Sequence, residues 1–307
     1  MNRCTPSRIT HALSARLLVG LLAVVSAAAL LAACGGSGGG SSPTPTTTVT
    51  VTATPSASPS PTTAPTASAS PTTTLSLYFL RGEKLGVAER RVPLTTKPAT
   101  AAMKALLTGP TTTEKAAGLT STVPGGTRLL GLSIDGTTAR VDLSAQFAAG
   151  GGSLSMQARV AQVVYTLTRF PSIKAVDFML DGGLVESLGG EGLILDAGQT
   201  RADWRSFEPA IFVERPGVGA VLTSPFVLSG TASVFEGSFM ARLLGGGQRL
   251  ADGPVQASLG APGRGRFRES IPFDTTSSSG TLVVFDRSMQ DGSRLDEVRI
   301  PVRFSSD

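Results

Sequence analysis

Histidine, cysteine, aromatic rings and charge are all scarce in this chain. Its 307 residues include 1 His, 2 Cys, 1 Trp and 2 Tyr, and only 16% are charged. Two cysteines cannot staple a disulfide-built scaffold or form a Cys-rich zinc site. His11 and Cys4 both fall among the first 16 residues, and Cys34 is the other cysteine. Beyond residue 34 there is therefore no Ser-His-Asp triad, no Cys-His pair and no histidine metal site. The few aromatics, 5% of the chain, argue against a sugar-binding platform. Hydrophobic residues are not scarce. At 41% they can fill the cores of two ordinary domains.

The first 33 residues carry Arg3, Arg8 and Arg16 and no acid. Leu17 to Leu31 is an unbroken stretch of apolar and small residues, too short for an ordinary bilayer span. A basic start, a short apolar core and small residues after it read as a secretory signal peptide over 1–33. Leu31-Ala32-Ala33-Cys34, followed by Gly35-Gly36, resembles the bacterial lipobox. That resemblance implies cleavage before Cys34, a diacylglyceryl thioether on its thiol and a further acyl chain, such as palmitate, on its amino group. Two acyl chains make a stable anchor where one is marginal. Three of the 27 basic residues would leave with the signal peptide, so 24 basic would face 22 acidic residues. That near balance argues against nucleic acid as a partner.

Residues 34–74 read as a tether. From Ser41 to Thr74, 27 residues are Ser, Thr or Pro, and none is charged or aromatic. Such a stretch cannot bury enough apolar area to offset its ordering entropy, so disorder is expected. Its reach is roughly 35 Å as a coil and about 120 Å extended. Ser, Thr and Pro together also permit O-glycosylation.

Residues 75–195 read as one α+β unit, in the order ββα ββα ββ. Leu75–Leu80 and Gly86–Val92 are expected strands. Pro98 opens a helix over Ala99–Leu107 that Gly109-Pro110 ends. Asp135-Gly136 marks a hairpin between Arg128–Ile134 and Thr138–Leu143. Ser153–Phe170 reads as a helix with one apolar face, from Val160, Val163, Val164 and Leu167. Ala175–Leu180 is a strand. Several segments together carry a resemblance: Leu106-Leu107-Thr108-Gly109-Pro110, Val123-Pro124-Gly125-Gly126-Thr127, Ala139-Arg140-Val141-Asp142-Leu143-Ser144, Ala161 to Pro171, and Val176 to Gly182. As a set they resemble the GerMN domain of sporulation and germination lipoproteins. The resemblance implies a fold like the ring-building modules, small α+β units that assemble in envelope complexes, and it brings no catalytic residues.

Residues 196–207 form a polar connector with the only tryptophan, Trp204. Residues 208–305 then read as all-β. Strands are expected over Ile211–Glu214, Phe226–Ser233, Phe239–Leu244, Val255–Leu259, Gly265–Ile271, Thr281–Asp286 and Glu297–Phe304. In the last, Val298, Ile300, Val302 and Phe304 share one face, with Arg299 and Arg303 on the other. Seven short strands suggest a sandwich. Ser224 to Ala232, Val234-Phe235-Glu236-Gly237, Gly265-Arg266-Phe267 and Val284 to Ser288 resemble the immunoglobulin-like domain of bacterial spore germination proteins.

Carboxylate chemistry is left. Asp177 with Asp181, or Asp135 with Asp142, could in principle face across a cleft, but acids at turns and strand edges usually serve solvation or capping. Asp286 with Asp291-Gly292-Ser293 hints at a calcium loop, although a turn is the default. Gly150-Gly151-Gly152 precedes a helix without P-loop spacing, so a plain loop is expected. Glu236 is the acid singled out by the second resemblance, expected as a strand-end carboxylate accepting backbone N–H bonds. Arg264, Arg266 and Arg268, beside Phe267, could meet an anionic wall polymer or a partner's acids, or could simply be a solvent face.

The reading is therefore a non-enzymatic envelope lipoprotein. Cys34 would anchor it outside the cell membrane, and its two domains would bind or scaffold an envelope protein or wall polymer, with a role in sporulation or germination implied by resemblance. A peptidoglycan- or glycan-binding lipoprotein is the alternative. No cofactor or metal is expected, and the oligomeric state is not specified.

Overall fold

The computed structural model describes residues 71–189 and 192–305. The signal peptide, Cys34 and nearly all of the expected tether lie outside them. The first strand, β1 (Thr72–Arg81), starts ahead of Leu75 and takes in the last threonines of that stretch. It turns through Gly82-Glu83 into β2 (Lys84–Pro93), an antiparallel partner from Thr72↔Pro93 to Arg81↔Lys84. The helices α1 (Pro98–Leu107) and α2 (Thr112–Ala116) follow. Next come β3 (Leu129–Asp135), β4 (Thr138–Leu143), α3 (Ser153–Leu167) and β5 (Ala175–Leu180). Short pieces β6 (Gly183–Leu184), β7 (Ser187–Leu188) and β8 (Leu193–Ile194) complete the unit. The order in the larger sheet is β3-β4-β5-β6. β3 and β4 form the expected hairpin, whereas β4 and β5 run parallel with α3 as the crossover.

Helix α3 departs from the one-faced helix expected. Every residue from Ala158 to Leu167 is buried, including Arg159, Gln162 and Thr166. The cause is the outer edge of β1, which β2 leaves unpaired. The Tyr78 N–H donates to Thr166 Oγ1 at 3.1 Å, and Gln162 Nε2 donates to the Tyr78 carbonyl at 3.3 Å. A sheet edge that must be buried needs such partners, so polar residues stand in the middle of a buried helix. Arg159 serves the preceding glycine loop: its guanidinium donates to the carbonyls of Phe147, Ala149 and Gly150. α3 ends at Leu167, ahead of Phe170, and its cap residue Thr168 donates its hydroxyl to the Val164 carbonyl.

Helix α2 was not expected from the sequence. Thr111 and Glu114 form a reciprocal capping box, and Glu114 is buried under Arg90. Arg90 also donates to Ala105 and Gly109 carbonyls, which ties the end of α1 to β2.

The second unit is a two-sheet sandwich. Its strands are β9 (Ile211–Arg215), β10 (Val221–Leu222), β11 (Phe226–Ala232) and β12 (Ser238–Gly245). β13 (Gln248–Gln256), β14 (Gly265–Ile271), β15 (Ser279–Arg287) and β16 (Arg294–Phe304) follow. One sheet runs β10-β16-β15-β12-β13 and the other β14-β11-β9. The Phe239 and Phe267 rings meet edge to face at 4.9 Å between them. On β16, Ile300, Val302 and Phe304 are buried while Arg299 and Arg303 face outward, as the alternation predicts. β13 lies ahead of the strand expected at Val255–Leu259, because Gly246-Gly247 turns β12 back on itself with Gly245 opposite Gln248.

The described residues of both domains fall in one compact unit. Among them, no helix is long and apolar enough to cross a membrane.

Candidate functional site

The connector places the site. Thr200 opens a 3-10 segment, Arg201–Phe207, through a capping box with Asp203. Trp204 is buried at 6% exposure, and its indole N–H donates to Gln199 Oε1. This fixes Arg201 at the junction of the two domains.

Three rings meet there. Tyr78 from β1, Tyr165 from α3 and Phe212 from β9 pack with centroids 5.6 to 6.0 Å apart. The Arg201 guanidinium lies 5.2 Å from the Tyr78 ring centre and 4.7 Å from that of Tyr165. It donates to Glu214 Oε1 at 2.6 Å, Thr168 Oγ1 at 2.9 Å and the Tyr78 hydroxyl at 3.1 Å. The Tyr78 hydroxyl in turn donates to Glu214 Oε1 at 2.5 Å, and the Tyr165 hydroxyl donates to Glu208 Oε1 at 2.6 Å.

Burial sets the protonation states. Both tyrosine hydroxyls are pushed above their ordinary range, first by burial and then by Glu214 beside Tyr78 and Glu208 beside Tyr165. They therefore stay protonated as donors. Burial also works against the Glu214 carboxylate, but Arg201 and the Tyr78 hydroxyl outweigh it and hold Glu214 below its ordinary value.

The backbone joins the domains as well. The Glu89 N–H donates to the Val218 carbonyl and the Val218 N–H to the Val87 carbonyl, both at 2.8 Å. The Gly217 N–H donates to the Glu89 carboxylate at 3.1 Å. A Cβ on Gly217 would stand 3.0 Å from the Val87 carbonyl oxygen, so a side chain there would have to push the two domains' strands apart by a few tenths of an ångström. Burial raises Glu89 above its ordinary value, and the Gly217 hydrogen bond offsets part of that.

Beside the junction lies an open groove of about 860 Å³. Five arginines, Arg201, Arg205, Arg264, Arg266 and Arg268, line it against two carboxylates, Glu208 and Glu214. Its floor is the outer face of β11 and β14, where Ser229 stands opposite Arg268 and Thr231 opposite Arg266.

The three expected arginines thus come together, but in different roles. Arg264 is not a free surface cation: its Nε pairs with Glu208 at 3.0 Å and its Nη2 donates to the Pro209 carbonyl at 2.9 Å. Arg266 and Arg268 are exposed on β14. With Arg205, their guanidiniums have no hydrogen-bond or ion-pair partner among the described residues. Glu236 does not line the groove and departs from expectation. It sits exposed in the turn Phe235–Gly237 at φ 53, and its carbonyl, not its carboxylate, accepts a bond, from Gln256 Nε2.

The carboxylate candidates serve local structure. Asp177 accepts the Gly198 N–H at 2.7 Å, and Asp142 accepts the Gly182 N–H at 3.1 Å. Asp181 is exposed at φ 46 and Asp135 ends β3. Asp291 accepts the Ser293 N–H and hydroxyl at 3.0 and 2.7 Å, a turn whose bonds bring its carboxyl down to about 2. The one aromatic ring widely exposed among the described residues is Phe235, at 60%.

Sequence reasoning missed Tyr78, Tyr165, Arg201, Glu208 and Glu214. A signal was present: the only two tyrosines each stand inside an apolar run, and a buried hydroxyl needs a polar partner.

Comparison with known proteins bears on both units. The Germane family model, sporulation and spore germination, matches residues 76–186. The Gmad2 model, immunoglobulin-like domain of bacterial spore germination, matches residues 210–293. The first GerMN domain of the sporulation protein GerM from Bacillus subtilis is 23% identical, with 43% of this chain and 99% of that one covered, at a TM-score of 0.36. The tandem GerMN domains of the same protein are 16% identical over 77% of this chain, at a TM-score of 0.40; the match spans 62% of that structure. A protein from Clostridium perfringens, provisionally named a lipoprotein, is 23% identical over 45% of this chain and 93% of its own, at a TM-score of 0.32. No curated protein gives a significant match. The chain therefore carries a Germane domain of the sporulation and spore germination family, followed by a Gmad2 domain, the immunoglobulin-like domain of bacterial spore germination.

Proposed function

We propose that this chain is a non-catalytic binding module of the bacterial envelope, tied to the outer face of the cell membrane through an acylated Cys34. Its two domains act together to hold or scaffold an envelope component in sporulation or germination. The observation that carries this reading is the junction. Both tyrosines, Arg201, Glu208 and Glu214 are spent on fixing one domain against the other, and the arginine groove opens beside them. A fixed pair of domains offers a pre-organised surface, which lowers the ordering cost of binding. Residues 71–305 contain neither His nor Cys, so a histidine base or a thiol nucleophile is not available to them.

The lipobox resemblance at Leu31–Cys34 supports the anchor. Its test is metabolic labelling with palmitate. Wild-type chain is expected to incorporate the label and sediment with membranes, and Cys34→Ala to do neither. The binding role is tested by affinity capture from membranes. Wild-type chain is expected to retain an envelope component that Cys34→Ala loses; equal recovery by both chains would contradict an anchored scaffold.

A further inference from the structure

We infer that the junction groove binds a linear phosphodiester polymer, and that Arg205, Arg266 and Arg268 are the cations that hold it. This rests on the binding-module reading above and names the chemistry of what is bound.

Charge comes first. The groove lining carries five guanidiniums and two carboxylates. Arg201 and Arg264 are committed to Glu214 and Glu208. The remaining cations, Arg205, Arg266 and Arg268, are exposed and have no partner among the described residues. A cluster of unpaired cations repels itself and favours an anionic occupant.

Spacing comes second. Arg266 and Arg268 are two residues apart on one face of β14, which sets their backbones about 7 Å apart along the strand. Each faces a hydroxyl residue on β11, Arg266 opposite Thr231 and Arg268 opposite Ser229. The Thr231 hydroxyl is taken, accepting from Arg264 at 3.2 Å and donating to Glu208, so what repeats along the groove is the guanidinium, with the Ser229 hydroxyl beside Arg268. A phosphodiester suits such a repeat, because each guanidinium fork can donate two parallel bonds to one tetrahedral phosphate. A polymer with regularly recurring phosphates presents the same repeat.

Polarity comes third. Protein interfaces depend on apolar anchors seated in pockets. Here Phe267 is 4% exposed and belongs to the sandwich core, so the open apolar surface of the lining is Leu259, at 59%. A floor of Ser229, Gly230 and Thr231 fits a hydrophilic chain better than a peptide segment.

The test uses the full-length chain in detergent and fluorescent poly(glycerol phosphate) of defined length. Saturable binding that weakens steeply with added salt is expected. The double variant Arg266→Glu, Arg268→Glu is expected to raise Kd about tenfold or more, with the paired lysine variant in between. Arg303→Glu, an exposed arginine of the other sheet, should leave Kd unchanged. Should the double glutamate variant fail to fold, Arg205→Gln on the connector provides an independent loss of affinity outside the sandwich. Binding undiminished by these groove variants would overturn the inference, as would equal binding of polyglutamate of matched charge. Capture of an envelope protein by a chain that ignores the polymer would also overturn it while leaving the scaffold reading intact.

Discussion

Arg201 shows how one side chain can join two domains. It stacks on two tyrosines, pairs with Glu214 and donates to Thr168. Arg201→Ala would leave the Glu214 carboxylate without its main counter-charge at a half-buried site. A loss of about 3 kcal/mol in denaturant unfolding is expected. Glu89 makes the opposite case. Burial raises its carboxyl above the ordinary value of 4.5, so the folded chain holds that proton more tightly than the unfolded chain. Its contribution to stability is fully present below that value and is lost as pH rises through the folded one. Glu89→Gln keeps an acceptor for the Gly217 N–H and removes the buried charge. The variant should gain on wild type at about pH 8 and show little difference at about pH 4, as melting curves at both values would reveal. Little of this was legible beforehand. Composition pointed to Arg264, Arg266 and Arg268 as a cluster, but nothing local tells a committed arginine from a free one. Arg264 meets Glu208, 56 positions upstream, only because the sandwich folds back on the connector.

Elements defined by periodicity and punctuation were legible. Pro98 and Gly109-Pro110 bracket α1, Asp135-Gly136 turns the β3-β4 hairpin, and alternation marks β16. Helix α2 is five residues long, too short for a periodic signal; its Thr111-x-x-Glu114 capping box is the only sequence trace of it. β13 carries Gly253 and Pro254, which disguise a strand by composition although the chain remains paired with β12. The burial of α3 was hidden because Arg159, Gln162 and Thr166 read as a solvent face until their tertiary partners are known. Gly230 tests the element scale. It sits where the β11-β9 register shifts, and a Cβ there would stand 1.9 Å from the Phe212 carbonyl oxygen. Gly230→Ala must push β9 away from β11, so a destabilisation of roughly 3 kcal/mol is expected in chemical denaturation. Gly253→Ala, with open space around its Cβ, should be far milder in the same assay.

At the scale of the whole molecule, the junction ties two modular domains into one compact unit. The aromatic cluster, the Arg201 network and the Val218 bridge all cross between them. A single calorimetric transition is expected for wild type, separating into two when Arg201→Ala and Gly217→Val are combined; two transitions in wild type would show that the junction carries little energy. The function proposed requires more than rigidity, since the groove beside the junction must be the working face. Photocrosslinking in intact cells tests this most directly, with benzoylphenylalanine placed at Leu259 in the groove lining or at Arg303 on the opposite sheet. The expected result is an adduct from position 259 that disappears with Cys34→Ala, and none from position 303. Adducts from position 303 alone, or none from position 259 in membrane-anchored chain, would contradict a binding module that works through its domain junction.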